Sequence, residues 1–454
     1  MRQVTSILSV SVALLSAVVP RAHGASSPKE DYIHAPMPPG FQVVITELEG
    51  PVFADAQGHT FYKWPKRTLR IGDAGDIEGK PTCGNEPYRK NSGLMSPYPA
   101  GFELPEVDTR PACADMWPPV LAAADAKPLG RWTITDRRDG RKQWAYDGSP
   151  LYKSVLDKKV GDTWGGSVMF NRLESGAVRH PVSPDPNVPA QFAVHTTMRG
   201  RLLTTHDNWS VYSFDKDTRS KSNCTGECLE GWSPILAAVY ARPVGEWTLI
   251  ERAAGIRQWA FRGMPLYRHL ADPKADSQDG ADLPHWHNVY TQLAPEPPKG
   301  FAMKDTLVGI VLGDANGMTV YRYVCNDDAI DQLACDHPDA PQVYRFSICG
   351  GGDVDRCVKT FPYVIAPAGA KSGSQAWDTM YVDPKTGKRA EANQVGALHV
   401  WTFRGRPIYT FAGRKGYGDK SPLDMNAHNW GEFSGQRNGY QAIVYRDLYQ
   451  NLDE

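Results

Sequence analysis

Two histidines, His285 and His287, stand two residues apart with Trp286 between them. If this segment is a β-strand, both imidazoles point to the same face. Paired imidazoles are suitable ligands for copper and zinc. With His428 as a third ligand and His269 as a further partner, the pattern predicts a metal site at His285, His287 and His428. The alternative is that the pair only forms the polar edge of a surface strand.

Other residue patterns near the histidines give weaker indications of chemistry. Asp276, Asp279 and Asp282 could bind calcium, but their spacing is not that of an EF-hand loop. The sequence contains no Gly-x-Ser-x-Gly elbow, His-Glu-x-x-His helix, phosphate-binding glycine loop or Cys-x-x-Cys-His haem site. We therefore expect no catalytic residue, and no cofactor apart from the possible copper or zinc.

A nine-residue pattern that occurs three times indicates the elements that hold these side chains. Each copy reads Trp-x-aromatic-x-Gly-x-Pro-aliphatic-Tyr, and the copies begin at Trp144, Trp259 and Trp401. The Trp and the aromatic two residues later share one face of a strand, Gly allows the backbone angles of a turn, and Pro restricts the exit. Because all three copies keep the Trp, we predict that it packs in a core. The alternative is an exposed aromatic platform for a sugar or another flat ligand.

These copies belong to longer repeats. Cys113, Cys228 and Cys357 each stand four residues before a Trp or a Phe. Cys113 and Cys228 lie 115 residues apart, as do Gly148 and Gly263, and chance matches would not keep this offset. The chain is therefore a triplicated module. Specific chemistry must be sought where the copies differ.

The eight cysteines predict four disulfides, because all lie in the part of the chain that we expect to be exported and oxidised. Each repeat has a cysteine upstream of the shared one, and the two that are left would pair within an insertion of the third repeat. The predicted pairs are Cys83 with Cys113, Cys224 with Cys228, Cys325 with Cys335, and Cys349 with Cys357. A metal site at the closely spaced Cys224 and Cys228 is the alternative.

Residues 1–24 read as a secretory signal peptide, with Arg2, an apolar run and a small-residue cleavage site before Ala25. The apolar run, Val4 to Val19, is shorter than the roughly 20 residues that a membrane span needs, so we expect no transmembrane segment after cleavage. The mature protein is then periplasmic or secreted. Lys and Arg total 50 and Asp and Glu total 51, so no excess of one charge attracts nucleic acid.

Proline-rich segments divide the mature chain, because proline cannot continue a sheet ladder. We expect a polar arm at residues 25–36, then modules at 37–186, 187–299 and 300–454. Short β-prone runs after turn residues, together with hairpin turns at Asp139-Gly140 and Ala254-Gly255, predict strands in every module. The predicted fold is all-β: three tandem modules of antiparallel hairpins and meanders, joined internally by disulfides.

The second module carries a distinctive arrangement of aromatic, Cys, Gly and Pro residues. Its segments are Tyr212-Ser-Phe-Asp215-Lys-Asp217, Ser222-Asn-Cys224-Thr-Gly226-Glu-Cys228, Trp232-Ser-Pro234 and Gln258-Trp-Ala-Phe-Arg-Gly263-Met-Pro265-Leu266-Tyr267. This arrangement resembles the bacterial family of the "secreted repeat of unknown function", or lipoprotein repeat, and we expect three copies, the third divergent. The chain departs from the family in having no lipid-anchor cysteine and in its long insertions. The resemblance implies export and fold, and it implies no activity.

Two functions follow as hypotheses. The first is a non-catalytic envelope protein whose three β modules present loops to a partner protein or a glycan. The alternative is a periplasmic metal-binding or redox accessory protein that uses the histidines of modules two and three. A hydrolase is a third and weaker hypothesis, because no pair of a nucleophile and a general base can be recognised in the sequence.

Overall fold

A computed structural model describes residues 28–63, 80–81, 83–85, 112–166, 180–306, 309–323, 345–346, 349, 352–371, 374–412 and 440–447. The signal-peptide segment, His428, Cys325 and Cys335 lie outside these residues. Antiparallel strands dominate, which confirms the predicted fold class.

The described residues of the first third of the chain form nine elements. They are β1 (Phe41–Thr46), β2 (Gly50–Asp55), β3 (Tyr62–Lys63), α1 (Cys113–Met116), β4 (Leu121–Ala122), β5 (Trp132–Asp136), β6 (Lys142–Tyr146), β7 (Ser149–Tyr152) and β8 (His180–Pro181). The hairpin β1–β2 stands beside a sheet of order β4-β6-β7-β3-β8, with β5 paired to β6.

The middle of the chain repeats this plan. Its strands are β9 (Phe192–Thr197), β10 (Gly200–Thr205), β11 (Tyr212–Phe214), β12 (Trp232–Pro234), β13 (Trp247–Ala253), β14 (Ile256–Phe261), β15 (Met264–Pro265), β16 (Tyr267–His269), β17 (Trp286–Asn288) and β18 (Tyr290–Leu293). They form sheets of order β18-β10-β9, β12-β16-β11-β17 and β13-β14-β15. Short 3-10 helices lie at Gly226–Leu229 and Asp279–Asp282.

The last part contains β19 (Ala302–Thr306), β20 (Gly309–Gly313), β21 (Tyr321–Tyr323), α2 (Val354–Thr360), β22 (Trp377–Val382), β23 (Leu398–Phe403), β24 (Arg406–Tyr409), β25 (Tyr440–Ala442) and β26 (Val444–Asp447). Its sheets have the orders β19-β20-β26 and β22-β23-β24-β21-β25. Equivalent tyrosines pair across neighbouring strands in each third of the chain: Tyr62 with Tyr152, Tyr212 with Tyr267, and Tyr321 with Tyr409.

The repeated Trp is a core residue, as predicted. Trp144, Trp259 and Trp401 are 7%, 2% and 6% exposed. The turn that follows needs two residues with positive φ, and in each copy the first of them is not glycine: Asp147, Arg262 and Arg404 all have φ of 50°. The next residue in each copy is a glycine that also has positive φ. Two such residues in succession suit the two-residue turns that match the twist of a β-hairpin.

Three disulfides occur in the structure, at the pairs Cys83–Cys113, Cys224–Cys228 and Cys349–Cys357. The fourth predicted pair, Cys325 with Cys335, lies outside the described residues and stays a prediction. The module boundaries after residues 186 and 299 also stay predictions.

The β1–β2 turn joins the first part of the chain to the last. Leu48 and Met198, at the tips of the β1–β2 and β9–β10 hairpins, lie in one apolar cluster with Trp377 and Trp401. Next to Leu48, the Glu47 Oε2 atom accepts hydrogen bonds from the Ser374 hydroxyl at 2.6 Å and from two backbone N–H groups, those of residues 375 and 376. The three parts of the chain therefore share an interior.

Buried ion pairs cross the same interior. Glu49 accepts a hydrogen bond at 2.9 Å from Arg404, which is 1% exposed. Glu30, in the N-terminal arm, receives two hydrogen bonds of 2.9 Å from Arg201 in β10 and one of 2.6 Å from the Thr291 hydroxyl. The arm is thus held against the middle of the chain by a carboxylate that is only 4% exposed.

Candidate functional site

The structure places the predicted histidine pair around a carboxylate. His287 lies in β17, whereas His285 precedes the strand and has a φ of 74°. His285 Nδ1 is 3.1 Å from Asp215 Oδ1, and His287 Nε2 is 3.7 Å from Asp215 Oδ2. The pairing of Ser213 with His287 explains this contact, because it sets the end of β11 beside the start of β17. All three side chains are exposed to solvent.

The two histidines therefore do not lie in one strand, because only His287 belongs to β17. Both rings nevertheless face the carboxylate of Asp215. Sequence reasoning missed Asp215, which follows β11 and belongs to a segment that carries the family resemblance. Both imidazoles approach its carboxylate rather than a shared open position. Among the residues that the structure describes, no group of three or more His, Cys, Asp or Glu side chains is arranged to hold a metal ion. The metal site stays a prediction.

His269, the further predicted partner, is not part of this arrangement. His269 Nδ1 lies 3.0 Å from Asp272 Oδ1, and its ring packs on Trp232 with 4.6 Å between centroids. The Tyr212 hydroxyl donates to the other oxygen of Asp272 at 2.8 Å. His269 is thus engaged inside the fold. His428 lies outside the described residues.

Of the acidic residues that were considered for calcium, Asp276 is paired with a histidine. Asp276 Oδ1 is 2.7 Å from His195 Nδ1, so this carboxylate pairs with an imidazole of β9. Asp279 and Asp282 are the first and last residues of a 3-10 helix. The calcium hypothesis stays a prediction without a described cluster to support it.

A buried carboxylate fastens the loop that follows β7. Asp157 Oδ1 accepts hydrogen bonds from the N–H groups of Trp164 at 2.8 Å and Gly165 at 3.4 Å. Its Oδ2 accepts one from the Tyr62 hydroxyl at 2.7 Å. Burial raises the pKa of Asp157 to about 8, and the neighbouring carboxylate of Asp162 acts in the same direction. The equivalent carboxylate in the middle of the chain is Asp272, whose pKa is also raised by burial.

An Arg–Gln network fastens the disulfide loop of the first module. The Arg137 guanidinium donates to the Gln143 side-chain oxygen at 2.6 Å and to the Cys83 carbonyl at 2.9 Å. Gln143 is fully buried, and it donates in turn to the Leu151 carbonyl at 2.7 Å. One arginine therefore links the disulfide loop to the strands β5, β6 and β7.

The second module repeats the network at an offset of 115 residues. Arg252 donates to Gln258 and to the Cys224 carbonyl, both at 2.8 Å, and Gln258 donates to the Leu266 carbonyl at 2.7 Å. The same polar contacts therefore recur, although the disulfide loops that begin at Cys83 and Cys224 differ in length. The network is therefore common to the first two modules, whereas the third has Val400 in the place of the glutamine.

The second module exposes several large apolar side chains. Leu236, Val239, Tyr240 and Ile256 are 50%, 90%, 87% and 48% exposed, and we call these four residues the apolar loop surface. Arg257 holds the loop in place, because its guanidinium donates to the carbonyls of residues 238 and 239. Leu236 is also bridged to Gln258, and the N–H of residue 237 donates to the Arg257 carbonyl at 2.8 Å.

The first module has the same loop with different side chains. At the 115-residue offset, Ala124 and Asp125 replace Val239 and Tyr240, and Arg141 replaces Ile256. Lys142, in the place of Arg257, donates to the Ala124 carbonyl at 3.2 Å. The carbonyl contact is thus common to both modules, and the apolar tip is not. Comparing the two loops at that offset would have found this surface from the sequence.

Comparisons with known proteins add no chemistry. Neither the curated proteins nor the solved structures contain a match to the chain. Over the part of the chain that the structure describes, no helix is both long and apolar enough to cross a membrane. One family model, described as a secreted repeat of unknown function, matches residues 193–235, from β9 through the Cys224–Cys228 disulfide to β12. This segment of the chain is therefore similar to a secreted repeat of unknown function.

Proposed function

We propose that the protein is a non-catalytic scaffold, exported to the periplasm or secreted, that presents loops to an envelope protein or a glycan. In this proposal the chain consists of three copies of the secreted repeat, of which the family model matches part of the middle one. The observation that carries the proposal is the use of buried polar side chains. Arg137, Arg252 and Asp157 bind the backbone of loops and so fix the loops that the scaffold would present.

The shared interior supports the same proposal. A loop contributes to affinity when its conformation is set before binding, because less conformational entropy is then lost. Leu48 and Met198 pack on the last part of the chain, and Glu30 anchors the arm in the middle. These contacts restrain the three parts against one another, which suits a protein that binds through several loops at once.

A binding experiment on residues 25–454 tests the scaffold function. The immobilised protein would be exposed to a solubilised envelope fraction and to an array of envelope glycan fragments, each with and without EDTA. We expect saturable binding to one of these two classes, unchanged by the chelator. A lack of saturable binding to either class, or turnover of a glycan by the purified protein, would contradict the proposal.

A metal-binding accessory role is the second candidate, and the position of Asp215 favours it. Small rotations of His285 and His287 would allow both rings and this carboxylate to face one ion, a combination of ligands that zinc and copper accept. Binding requires neutral imidazoles, so the affinity for the metal should fall as the pH is lowered.

Calorimetric titration with Zn²⁺ and Cu²⁺ at pH 7.5 and 5.5 tests this role. We expect one equivalent to bind at the higher pH, with loss of at least about tenfold in affinity at the lower pH and in the H285A/H287A variant. The control is His59→Ala, which removes an exposed histidine that pairs with Asp55. Equal, weak binding by the wild type and both variants would rule out the metal role.

A further inference from the structure

The apolar loop surface combines exposure with a fixed shape. Val239 and Tyr240 are almost fully exposed, yet Arg257 holds the carbonyl groups of this loop. Ile256 is half exposed at the start of β14, immediately before Arg257. Tyrosine and aliphatic side chains held in a set conformation are characteristic of the centres of protein interfaces.

Two arginines and one carboxylate lie at this surface, because Glu251 of β13 stands opposite Arg257 in the pairing of β13 with β14. Arg242 is exposed, and Arg257 is half-buried. Among the ion pairs of the described residues, neither guanidinium has a carboxylate partner. In the first module, by contrast, Arg141 pairs with Asp139 at 2.6 Å, and Asp125 places a negative charge at the loop tip. The second module has Tyr240 and Ala254 in the places of these two carboxylates, and Ile256 in the place of Arg141.

We propose that the apolar loop surface binds a partner protein through a segment that combines apolar side chains with flanking Asp or Glu residues. This inference rests on the proposed scaffold function and specifies the partner of one loop. The apolar side chains of the partner would cover Val239 and Tyr240, and a carboxylate beside them would pair with the exposed Arg242. Pairing across the rim would favour this partner over a neutral one and speed association.

Three other occupants fit less well. A glycan needs polar groups that orient its hydroxyls, and Tyr240 alone supplies one within the surface. Anionic membranes are recognised by clusters of about four to eight basic residues, and this surface has two arginines. A second copy of the chain, related by a twofold axis, would place the same surface opposite itself and bring like-charged arginines together. An acidic, apolar protein segment satisfies both the charges and the side chains.

The test uses a displayed library of random peptides selected on the immobilised mature protein. The V239A/Y240D variant introduces the Ala-Asp pair that the first module carries in the same loop, so we expect its melting temperature to be unchanged. We expect the selected peptides to combine aromatic or aliphatic residues with Asp or Glu, and to bind V239A/Y240D at least about tenfold more weakly. They should bind Arg242→Ser about threefold more weakly, with a smaller difference at high salt.

Peptides that bind the wild type and V239A/Y240D equally would overturn this inference. They would leave the scaffold function intact, because binding would then use another loop. Binding of phosphatidylglycerol vesicles that depends on Val239 and Tyr240 would overturn it in favour of a lipid surface, and concentration-dependent dimers lost in the variant would overturn it in favour of self-association. A failure of the scaffold function itself would appear separately, in the envelope and glycan experiment.

Discussion

At the scale of single residues, several interior polar side chains bind backbone carbonyl and N–H groups. Arg137 and Arg252 each bind a glutamine and a cysteine carbonyl, and Asp157 binds two N–H groups of the loop after β7. A buried backbone N–H or C=O group without a hydrogen-bond partner destabilises the fold. A polar side chain that pairs with such a group therefore stabilises a loop whose backbone is not paired in a β-sheet. Each of these residues can be tested by substitution.

Removing Arg137 should destabilise the first module. Arg137→Ala leaves the buried oxygens of Gln143 and Cys83 without their donor, and we expect a loss of about 2–4 kcal/mol in the free energy of unfolding. Urea unfolding followed by tryptophan fluorescence measures this loss. Arg138→Ala, at the exposed neighbouring position, is the matched control and should change stability by less than about 0.5 kcal/mol. Equal effects of the two substitutions would contradict a role for the network.

Asp157 should give the protein a stability that falls as the pH rises. Its pKa is raised to about 8 in the folded protein, against about 3.9 in an unfolded chain, so the folded state holds the proton more tightly. The contribution is complete below about pH 4 and is lost as the pH rises through 8, at no more than about 1.4 kcal/mol per pH unit.

Asp157→Asn keeps the shape of the protonated acid and should abolish this part of the pH dependence. Unfolding free energies measured from pH 5 to 8 for the wild type and the variant isolate the effect, because other titrating groups are common to both. We expect the wild type to lose stability relative to Asp157→Asn over this window. A difference that is constant with pH, or of opposite sign, would show that Asp157 is charged in the folded protein.

At the scale of elements, the repeated hairpin was predictable because its pattern is local. The offset between Trp259 and Gly263 determines a strand face and a turn, and neighbouring residues are enough to recognise both. The ligand-like contact of Asp215 with His285 was not predictable in this way. It depends on the pairing of β11 with β17 across some 70 residues. It also depends on a left-handed backbone at His285, which the residue type does not indicate.

The disulfides should differ in their contribution to stability. The Cys83–Cys113 bond spans 30 residues and the Cys224–Cys228 bond spans 4. In the chain-entropy model the longer loop stabilises by about 3–4 kcal/mol and the shorter one by about 2 kcal/mol. Urea unfolding of the two double Cys→Ser variants checks this order. A larger loss for the short loop would contradict the entropic account.

Peptide mapping without reduction tests the pairing itself. We expect four bridges, including Cys325 with Cys335, and each should lie within one module. The control is the same digest after reduction and alkylation, which should release all eight cysteine peptides. Any bridge between modules would reject the predicted pairing.

At the scale of the whole molecule, buried ion pairs hold distant parts of the chain together. Glu30 and Arg201 are 171 residues apart in sequence, and Glu49 and Arg404 are separated by 355. The pair of Glu30 with Arg201 could not be inferred from the repeat, because Glu30 lies in the arm that precedes the modules. The repeat predicts what each module contains, and residues outside the repeat determine how the modules join.

Breaking the arm contact should destabilise the protein more than the size of the arm suggests. Glu30→Ala leaves the Arg201 guanidinium buried without its carboxylate, and we expect a loss of about 3–5 kcal/mol in unfolding free energy. Lys29→Ala, at the exposed preceding residue, is the control. Replacing both partners, in Glu30→Leu/Arg201→Met, should restore much of the loss. Equal stability of Glu30→Ala and Lys29→Ala would show that the pair does not lock the arm.

The two hairpin tips that pack on the last part of the chain affect how the protein can be synthesised and divided. Repeat arrays usually tolerate shortening, because each unit touches only its neighbours. Here Leu48 and Met198 have their partners, among them Trp377 and Trp401, beyond β19. A nascent chain that stops before β19 would expose both tips to solvent until the remainder emerged. We therefore expect such fragments to aggregate or require a chaperone. The first two parts of the chain would then reach their stable fold only after the third part has been synthesised.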